Sequence, residues 1–337
     1  MFPRMRVATF NLYNLVLPGV PYYESDPYTP AEYQEKTIWI GRQLDRMAAD
    51  IAGFQEVFHK PALQAALANS NRFQDVEPVV LATNEEESPA QTPAVGLASR
   101  FPVVSAESVT AFPPSAIILL PGAAGAPVTV PVSGFSHAVL KAQIAITAEI
   151  TITAFVAHLK SKRPLYYEGE SGENPLDRTL GAARSLVRRA AEAAALRALI
   201  LEEIAANRRP VIVLGDLNDA TLAVTTQMVA GEKPYFRWPQ ARKEPYWDTL
   251  LYSAQEIQAR AATRDVYFTY IYNSFYEALD QIMVSEEFYR LNPDRIAEVY
   301  YVQLFNDHII DAEQTYESAP RTMSDHGQVV AWLRGNS

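Results

Sequence analysis

The sequence has 337 residues, of which 48% are hydrophobic and 20% charged, and its formal net charge is −10. These values are typical of a globular chain and exclude a disordered or fibrous protein, while the acidic balance argues against a protein that holds nucleic acid by bulk electrostatics. The absence of cysteine excludes disulfides, thiolate metal sites and a cysteine nucleophile, so any metal must bind to oxygen or imidazole.

No segment approaches the ~18 consecutive apolar residues of a membrane-spanning helix, so we expect no transmembrane segment. The N-terminal stretch MFPRMRVATFNLYNL lacks the apolar core and the cleavage site of a signal peptide, which predicts a cytoplasmic protein. No linker separates two cores, and polar motifs extend from residue 11 to residue 326, so we expect a single domain over residues 1–337. The sequence carries no indication of the oligomeric state.

The first half of the chain predicts short strands and helices in alternation. In chain order, the predicted elements are a strand at 6–15, a helix at 31–49, a strand at 50–57, a helix at 61–70, a strand–turn–strand segment at 94–109, and a loop or hairpin rich in Pro, Gly and Ala at 112–134.

The second half is predicted to contain adjacent strands at 138–146 and 150–159, a polar loop at 161–178, the longest helix at 179–206, a strand starting at 211, a loop-rich region with 235–248, a strand pair within 264–285, and a turn into a last strand at 324–333. Strands occur both in meander-like and in helix-separated order. This mixture favours an α/β protein with mixed sheets.

Polar side chains stand at the ends of six apolar strands. They are Asn11, Glu56, His158 with Lys160, Asp216 with Asn218, Asp280, and Asp325 with His326. Each one alone has an ordinary explanation, such as a turn cap, a solvated strand end or a partly buried histidine. Ionisable groups at buried strand ends are costly to desolvate unless they are paired or bound to a cation, and open α/β sheets bind ligands at strand ends. The set therefore predicts one shared site.

These segments resemble the endonuclease/exonuclease/phosphatase superfamily of metal-dependent phosphoesterases. The matching stretches are TFNLYNL, DIAGFQEV, FVAHLKSK, VLGDLND, ALDQIMVS and SDHGQVV, which follow the family's order between residues 6 and 332. The resemblance implies a four-layer αββα sandwich, in which two mixed β-sheets pack face to face with helices outside. It also implies a site at one edge of the sandwich that hydrolyses phosphate esters.

The resemblance assigns a metal site to three residues. Glu56 is similar to the family's principal metal ligand, Asn11 to the amide that binds the ion or a phosphate oxygen beside it, and Asp325 to a second carboxylate on the metal side. Carboxylate and amide oxygens suit Mg²⁺, with Mn²⁺ and Ca²⁺ as alternatives.

Five further residues match the family's catalytic positions. Asp216 resembles the carboxylate that orients or deprotonates the attacking water, and Asn218 the amide that donates to the developing phosphorane. His326 is expected to bind phosphate as an imidazolium, held in one tautomer by Asp280. His158 resembles the histidine assigned to phosphate binding or leaving-group protonation, and it argues against an abasic-site endonuclease.

Three basic residues are predicted phosphate contacts: Lys160, Arg178 and Arg184. Arg188 and Arg189 are instead expected to balance acids of the long helix, which are Glu192, Glu202 and Glu203. The aromatic residues Trp238, Trp247, Tyr270 and Tyr276 either stack on bases, cover a lipid or lie in the core.

The resemblance favours a phosphodiesterase that acts as a nuclease on DNA or RNA. The alternatives are a phosphomonoesterase, a phospholipid diesterase similar to sphingomyelinases, for which segment 112–134 is the candidate apolar hairpin, and a catalytically silent binding protein of the same fold. Inositol phosphatases are the family's example of the monoester activity.

Overall fold

The computed structural model describes residues 2–23, 25–81, 92–122, 126–206, 209–235, 237–261, 267–272, 275–311 and 319–335. The helices are α1 (Pro30–Met47), α2 (Lys60–Ala68), α3 (Pro175–Leu201), α4 (Val224–Ala230), α5 (Gln240–Trp247) and α6 (Ala254–Ala261). A π-helical turn, Glu202–Ala206, follows α3 directly.

The strands are β1 (Met5–Leu15), β2 (Ile51–Val57), β3 (Val79–Val80), β4 (Ala94–Ser99), β5 (Val103–Ala111), β6 (Leu119–Pro121), β7 (Pro127–Thr129), β8 (Gly134–Ala145), β9 (Thr151–His158), β10 (Val211–Asp216), β11 (Tyr252–Ser253), β12 (Tyr270–Tyr272), β13 (Phe275–Glu277), β14 (Asp280–Val284), β15 (Ala297–Phe305) and β16 (Gln328–Gly335).

Most of these strands form two six-stranded mixed sheets. The first sheet has the order β15-β16-β1-β2-β4-β3 and the second the order β11-β14-β10-β9-β8-β5. Each sheet contains one parallel pair near its centre, β1 with β2 and β9 with β10, and antiparallel pairs around it. Two small hairpins, β6–β7 and β12–β13, lie outside the sheets.

The two sheets pack face to face over one apolar core. That core combines side chains of both sheets, among them Val7, Ile51, Leu97, Val329, Leu140, Val156, Ile212, Leu214 and Ile282. The sheets approach closely at Gly53 on β2, where an added Cβ would lie 2.9 Å from the Cβ of Leu214 on β10. A shared core is consistent with a single domain over residues 1–337, which stays a prediction.

Helices cover the outer face of each sheet. On the first sheet, Ile40, Leu44 and Met47 of α1 pack with Phe10 and Phe54. On the second sheet, Leu196 and Ile200 of α3 pack with Phe155, Val211 and Val213. The order of layers is thus helix, sheet, sheet, helix, which confirms the predicted αββα sandwich.

Helix α1 shows how local sequence positions these layers. Thr29 and Glu32 form a capping box, in which Thr29 Oγ1 accepts the Glu32 N–H and Glu32 Oε2 accepts the Thr29 N–H, while Pro30 occupies the first turn. The helix ends at Ala48, whose left-handed backbone (φ 50°) stops the ladder.

Several local predictions differ from the structure. The loop predicted at 235–248 contains α5, which buries none of its residues and holds Pro245, so it has no apolar periodicity to indicate a helix. Helices α4 and α6 and strand β15 were not predicted, and α3 starts at Pro175, where Asn174 caps it. Parts of two predicted segments, 264–266 with 273–274 and 123–125, lie outside the described residues.

None of the described helices combines the length and the apolar character that crossing a membrane requires.

Candidate active site

The second sheet places three polar residues in one row. His158 ends β9, Asp216 ends β10 and Asp280 begins β14, and Asp216 is the direct cross-strand partner of both others. His158 Nε2 lies 3.6 Å from Asp216 Oδ2. All three side chains are buried. Strand register alone therefore brings together groups that are far apart in sequence.

His326 joins this row from the turn before β16. Its Nδ1 hydrogen-bonds Asp280 Oδ2 at 2.8 Å, and its Nε2 lies 3.9 Å from Asp216 Oδ2. Ser324 fixes the turn, since its Oγ accepts the His326 N–H at 3.0 Å and donates to the Asn11 carbonyl at 2.7 Å. The imidazole is thus held between two carboxylates.

The surroundings of His326 favour its charged form. Burial by itself lowers the pKa of His326, but the charge and hydrogen bond of Asp280 and the charges of Asp216 and Asp325 together raise it well above 6.5. These charges favour the imidazolium, the form expected of a group that binds phosphate.

Glu56 lies at a bulge near the end of β2. The register of β2 with β4 shifts between Phe54 and Val57, and Glu56 has a left-handed backbone with φ 61°. Its Oε2 accepts the Asn14 N–H at 2.8 Å, and its Oε1 accepts from Asn11 Nδ2 at 3.3 Å. Tyr13 and Asn14 are also left-handed, with φ of 49° and 58°.

Asn11 connects the Glu56 side of the site to the Asp216 side. The same Nδ2 that faces Glu56 lies 3.2 Å from Asp216 Oδ2, while Oδ1 accepts the Tyr13 N–H at 3.0 Å. In this arrangement the amide presents its nitrogen to the carboxylates. Asn11 is therefore a bridging donor here, whereas a metal ligand would present its oxygen.

Glu56 and Asp325 are two half-buried carboxylates on the same side of the site, and the charge of Asp325 acts on Glu56. Burial and the charge of Asp325 raise the pKa of Glu56 to about 7, and burial raises the pKa of Asp325. Asp325 Oδ1 is buried and has no hydrogen-bond partner among the described residues. A nearby cation would stabilise the charged form of both groups, and oxygen ligands are those that Mg²⁺, Mn²⁺ and Ca²⁺ prefer.

A second group, Asp216, Asp280 and His326, offers ligand atoms within 4.8 Å of one another. The short Nδ1–Oδ2 contact between His326 and Asp280 is a hydrogen bond that a metal would have to break. The metal site predicted at Glu56, Asn11 and Asp325 stays a prediction.

Residues 8–326 match the family model "Endonuclease/Exonuclease/phosphatase family". The chain belongs to this family. Its members are phosphoester hydrolases that generally depend on divalent metals, so the chain is an enzyme of that class. Comparison with curated proteins gave no match.

Solved structures of the family share the fold. A family protein from Bacteroides thetaiotaomicron is 14% identical with a TM-score of 0.56 over 100% of both chains. The mannosyl-6-phosphatase Bt3783 of the same species is 14% identical with a TM-score of 0.55, covering 98% of this chain and 99% of that one. The human nocturnin catalytic domain with bound sulfate is 14% identical with a TM-score of 0.52, covering 100% and 96%. At these identities the likeness concerns the fold alone.

Two more residues of this family enzyme surround Asp216. Asn218, with φ 54°, donates its N–H to Asp216 Oδ1 at 2.8 Å and its Nδ2 to the Leu159 carbonyl at 3.0 Å. His158 is neutral, because burial, with the charges of His326 and Lys160, lowers its pKa to about 3. His158 can therefore donate a hydrogen bond but does not carry charge.

The three basic residues that were predicted to contact phosphate lie in different surroundings. Lys160 Nζ donates to Ser161 Oγ at 3.0 Å, on the turn beside His158. Arg184 is engaged elsewhere, in a bidentate contact with Glu170 at 2.5 and 2.7 Å. Arg178 is exposed on the first turn of α3. Their roles in phosphate binding stay predictions, and for Arg184 the pair with Glu170 is the structural alternative.

Of the two arginines predicted to pair with acids of the long helix, Arg188 does so and Arg189 does not. Arg188 Nε lies 3.5 Å from Glu192, as predicted, but Arg189 binds Asp219 at 3.1 Å. Glu192 also accepts the Lys160 N–H at 2.6 Å, so this buried acid fixes the turn after β9.

Two residues near the site, half-buried His137 and buried Lys36, were missed from the sequence. His137 stacks on His158 with centroids 4.3 Å apart, and its Nδ1 lies 3.0 Å from the His158 carbonyl. Lys36 is fully buried and donates to the carbonyls of Tyr13 at 2.9 Å and Arg321 at 3.0 Å. Burial lowers the pKa of Lys36 to about 7, against the charges of the Glu56–Asp325 pair. A signal existed only for Lys36, which lies four residues before Ile40 on the apolar face of α1.

Proposed function

We propose that the protein is a Mg²⁺-dependent phosphodiesterase that acts as a nuclease on DNA or RNA. The observation that supports this proposal is the convergence of three groups: Asn11 Nδ2 contacts both Glu56 and Asp216, and His326 Nε2 lies 3.9 Å from Asp216 Oδ2. The network combines a carboxylate pair suited to a cation, a carboxylate able to accept a proton and an imidazolium.

The Glu56–Asp325 pair would hold the cation. When bound, a divalent cation neutralises charge on phosphate oxygens and favours attack by water. The residues of the chain supply the remaining steps. Asp216, oriented by the Asn218 N–H, accepts the proton of the attacking water.

Three donors surround the position at which negative charge develops. His326 provides an imidazolium whose Nε2 faces the Asp216 side, and Asp280 keeps it protonated. The amide of Asn218 has a second hydrogen beyond the one donated to Leu159. His158 can donate a hydrogen bond from its neutral ring to a phosphate oxygen or to the leaving oxygen, but it holds no proton to transfer.

A phospholipid diesterase is the second candidate, because the predicted apolar hairpin is exposed. Leu119 and Leu120 of β6 are 57% and 51% exposed, and Val128 of β7 is 55% exposed. A solvent-facing apolar hairpin fits insertion into a lipid surface. A silent binding protein is disfavoured, since every expected catalytic position is filled and the family is enzymatic.

A substrate panel tests the proposal. Hydrolysis of bis-p-nitrophenyl phosphate, p-nitrophenyl phosphate, single-stranded and plasmid DNA, RNA, and sphingomyelin vesicles is measured in Mg²⁺, Mn²⁺, Ca²⁺ and EDTA. We expect metal-dependent cleavage of the diester and of nucleic acid, lost in Asp216→Ala and in His326→Ala. Turnover of vesicles without cleavage of any nucleic acid would replace the nuclease by the lipid alternative.

A further inference from the structure

The hairpin β12–β13 is anchored to both halves of the Asp280–His326 pair. Thr269, which precedes β12, accepts the N–H groups of Leu279 and Asp280 on its Oγ1, at 3.0 and 3.1 Å. Its carbonyl accepts the Gly327 N–H at 2.7 Å. The base of the hairpin is therefore fixed at the active site.

One face of this hairpin is turned to the site. Tyr270 packs its ring against His326, with centroids 4.7 Å apart. Tyr272 lies two residues further along the strand, so it projects from the same face, and its cross-strand partner Phe275 does too. These two side chains are 60% and 70% exposed.

The opposite face of the hairpin is engaged by the protein. Tyr276 donates its hydroxyl to Asp311 at 3.1 Å, and its ring packs on Phe268 at 4.9 Å. The acid on the site-facing side, Glu277, is paired with Lys162 at 2.6 Å. Beyond Tyr270, the site-facing side of the hairpin thus presents the exposed rings of Tyr272 and Phe275, while the charge of Glu277 is balanced by Lys162.

We propose that Tyr272 and Phe275 form a stacking platform for an unpaired nucleobase, and that the substrate is a single strand or an unpaired end. This inference rests on the proposed nuclease function. A ring can stack on a base only where the face of that base is free, which base pairing and stacking in a duplex prevent. The net charge of −10 agrees, because a duplex-binding nuclease would follow the phosphate backbone with a basic surface.

The charge of the surrounding residues favours a base over a lipid chain at this position. The platform shares its face with Glu277, which is paired with Lys162 at 2.6 Å, so an apolar tail there would desolvate a charged pair. A base has a flat face for the rings and polar edges for the charged neighbours.

Two substrates that differ only in their bases test the platform. One is a labelled thymidine strand, and the other is a strand of the same length in which tetrahydrofuran spacers replace the nucleotides around the cleavage position. The enzyme is compared with Tyr272→Ala/Phe275→Ala, with the ring-conserving Tyr272→Phe/Phe275→Tyr, and with Tyr301→Ala. Tyr301 is a matched control, because it is 41% exposed on β15 and packs on Trp332 outside the site.

We expect the double alanine variant to raise KM for the thymidine strand about tenfold and to abolish most of the preference for thymidine over spacer. The ring-conserving variant and Tyr301→Ala should keep that preference. Melting temperatures identify any variant that fails to fold. If the double alanine variant fails, the preference for thymidine over spacer is compared between the wild type and the ring-conserving variant.

Three results would overturn the inference. Equal cleavage of both strands by the wild type would leave the nuclease function intact and remove the platform. Metal-dependent turnover of bis-p-nitrophenyl phosphate without cleavage of either strand would instead remove the nuclease function. Loss of sphingomyelin-vesicle cleavage in the double alanine variant, with strand cleavage unaltered, would assign the rings to lipid.

Discussion

Replacing Asp280 by Asn tests whether His326 acts as an imidazolium. Asn keeps the shape of the side chain but removes the negative charge that lies 2.8 Å from Nδ1. Burial would still lower the pKa of His326, while Asp216 and Asp325 would still raise it, so the pKa returns towards its ordinary value of 6.5. The charged form then disappears within the working pH range.

The size of the effect follows from the lowered pKa of His326. Each pH unit above the pKa of a group reduces its protonated fraction about tenfold. We therefore expect the loss of kcat/KM in Asp280→Asn to grow about tenfold per pH unit above the lowered pKa, with recovery towards acidic pH. The stabilisation that the raised pKa of His326 gives to the wild-type fold is present below the unfolded pKa of about 6.5 and is lost as the pH rises through the higher folded pKa.

The assay is hydrolysis of bis-p-nitrophenyl phosphate at saturating Mg²⁺ from pH 5.5 to 9, with quenching at alkaline pH before absorbance is read. His326→Gln serves as the control that lacks the imidazolium at every pH. A loss of activity in Asp280→Asn that is greatest at acidic pH would mean that His326 acts as a base. A loss independent of pH would mean that Asp280 only orients the ring, and either result would refute the reasoning.

Three further changes address the metal site, the core and a surface acid. Glu56→Gln should raise the Kd for Mn²⁺ about tenfold or more, and an unaltered Kd in calorimetry would move the metal elsewhere. Gly53→Ala should lower the free energy of unfolding by about 1–3 kcal/mol in urea, because its Cβ would lie 2.9 Å from Leu214 Cβ, and an unchanged midpoint would contradict the close approach of the sheets. Burial and the charges of Glu287, Asp248 and Asp294 raise the pKa of Glu286 to about 7 from 4.5, so stability falls as the pH rises between these values. The melting temperature of Glu286→Gln should be higher than that of the wild type at pH 8 and equal to it at pH 4. A difference in melting temperature that does not change with pH would contradict this account.

The local patterns of the sequence predicted an α/β protein with mixed sheets, and the four layers were predicted through the family resemblance. Apolar strands next to Glu56, Asp216 and Asp280 are visible in a single segment each, and α/β sheets bind ligands at strand ends. The prediction that these residues share one site is consistent with the register of β9, β10 and β14. This register could not be read from the sequence.

The residues that the sequence did not reveal act through contacts between distant segments. The stacking of His137 on His158 depends on the register of β8 with β9, and nothing near residue 137 indicates it. The pair of Arg184 with Glu170 similarly depends on how the loop before α3 folds back. Helix α5 was missed for another reason, since a helix that buries no side chain leaves no period in its sequence.

The left-handed backbones at Tyr13, Asn14, Glu56 and Asn218 have a consequence for selection by heat resistance. Glycine would relieve the strain at each position, so a screen that rewards only thermal survival should accumulate glycine there. At Glu56 and Asn218 such clones would lose a carboxylate or an amide of the site together with the strain. Positions at which a heat-selected glycine abolishes activity would then identify active-site residues, although no substrate was used in the selection.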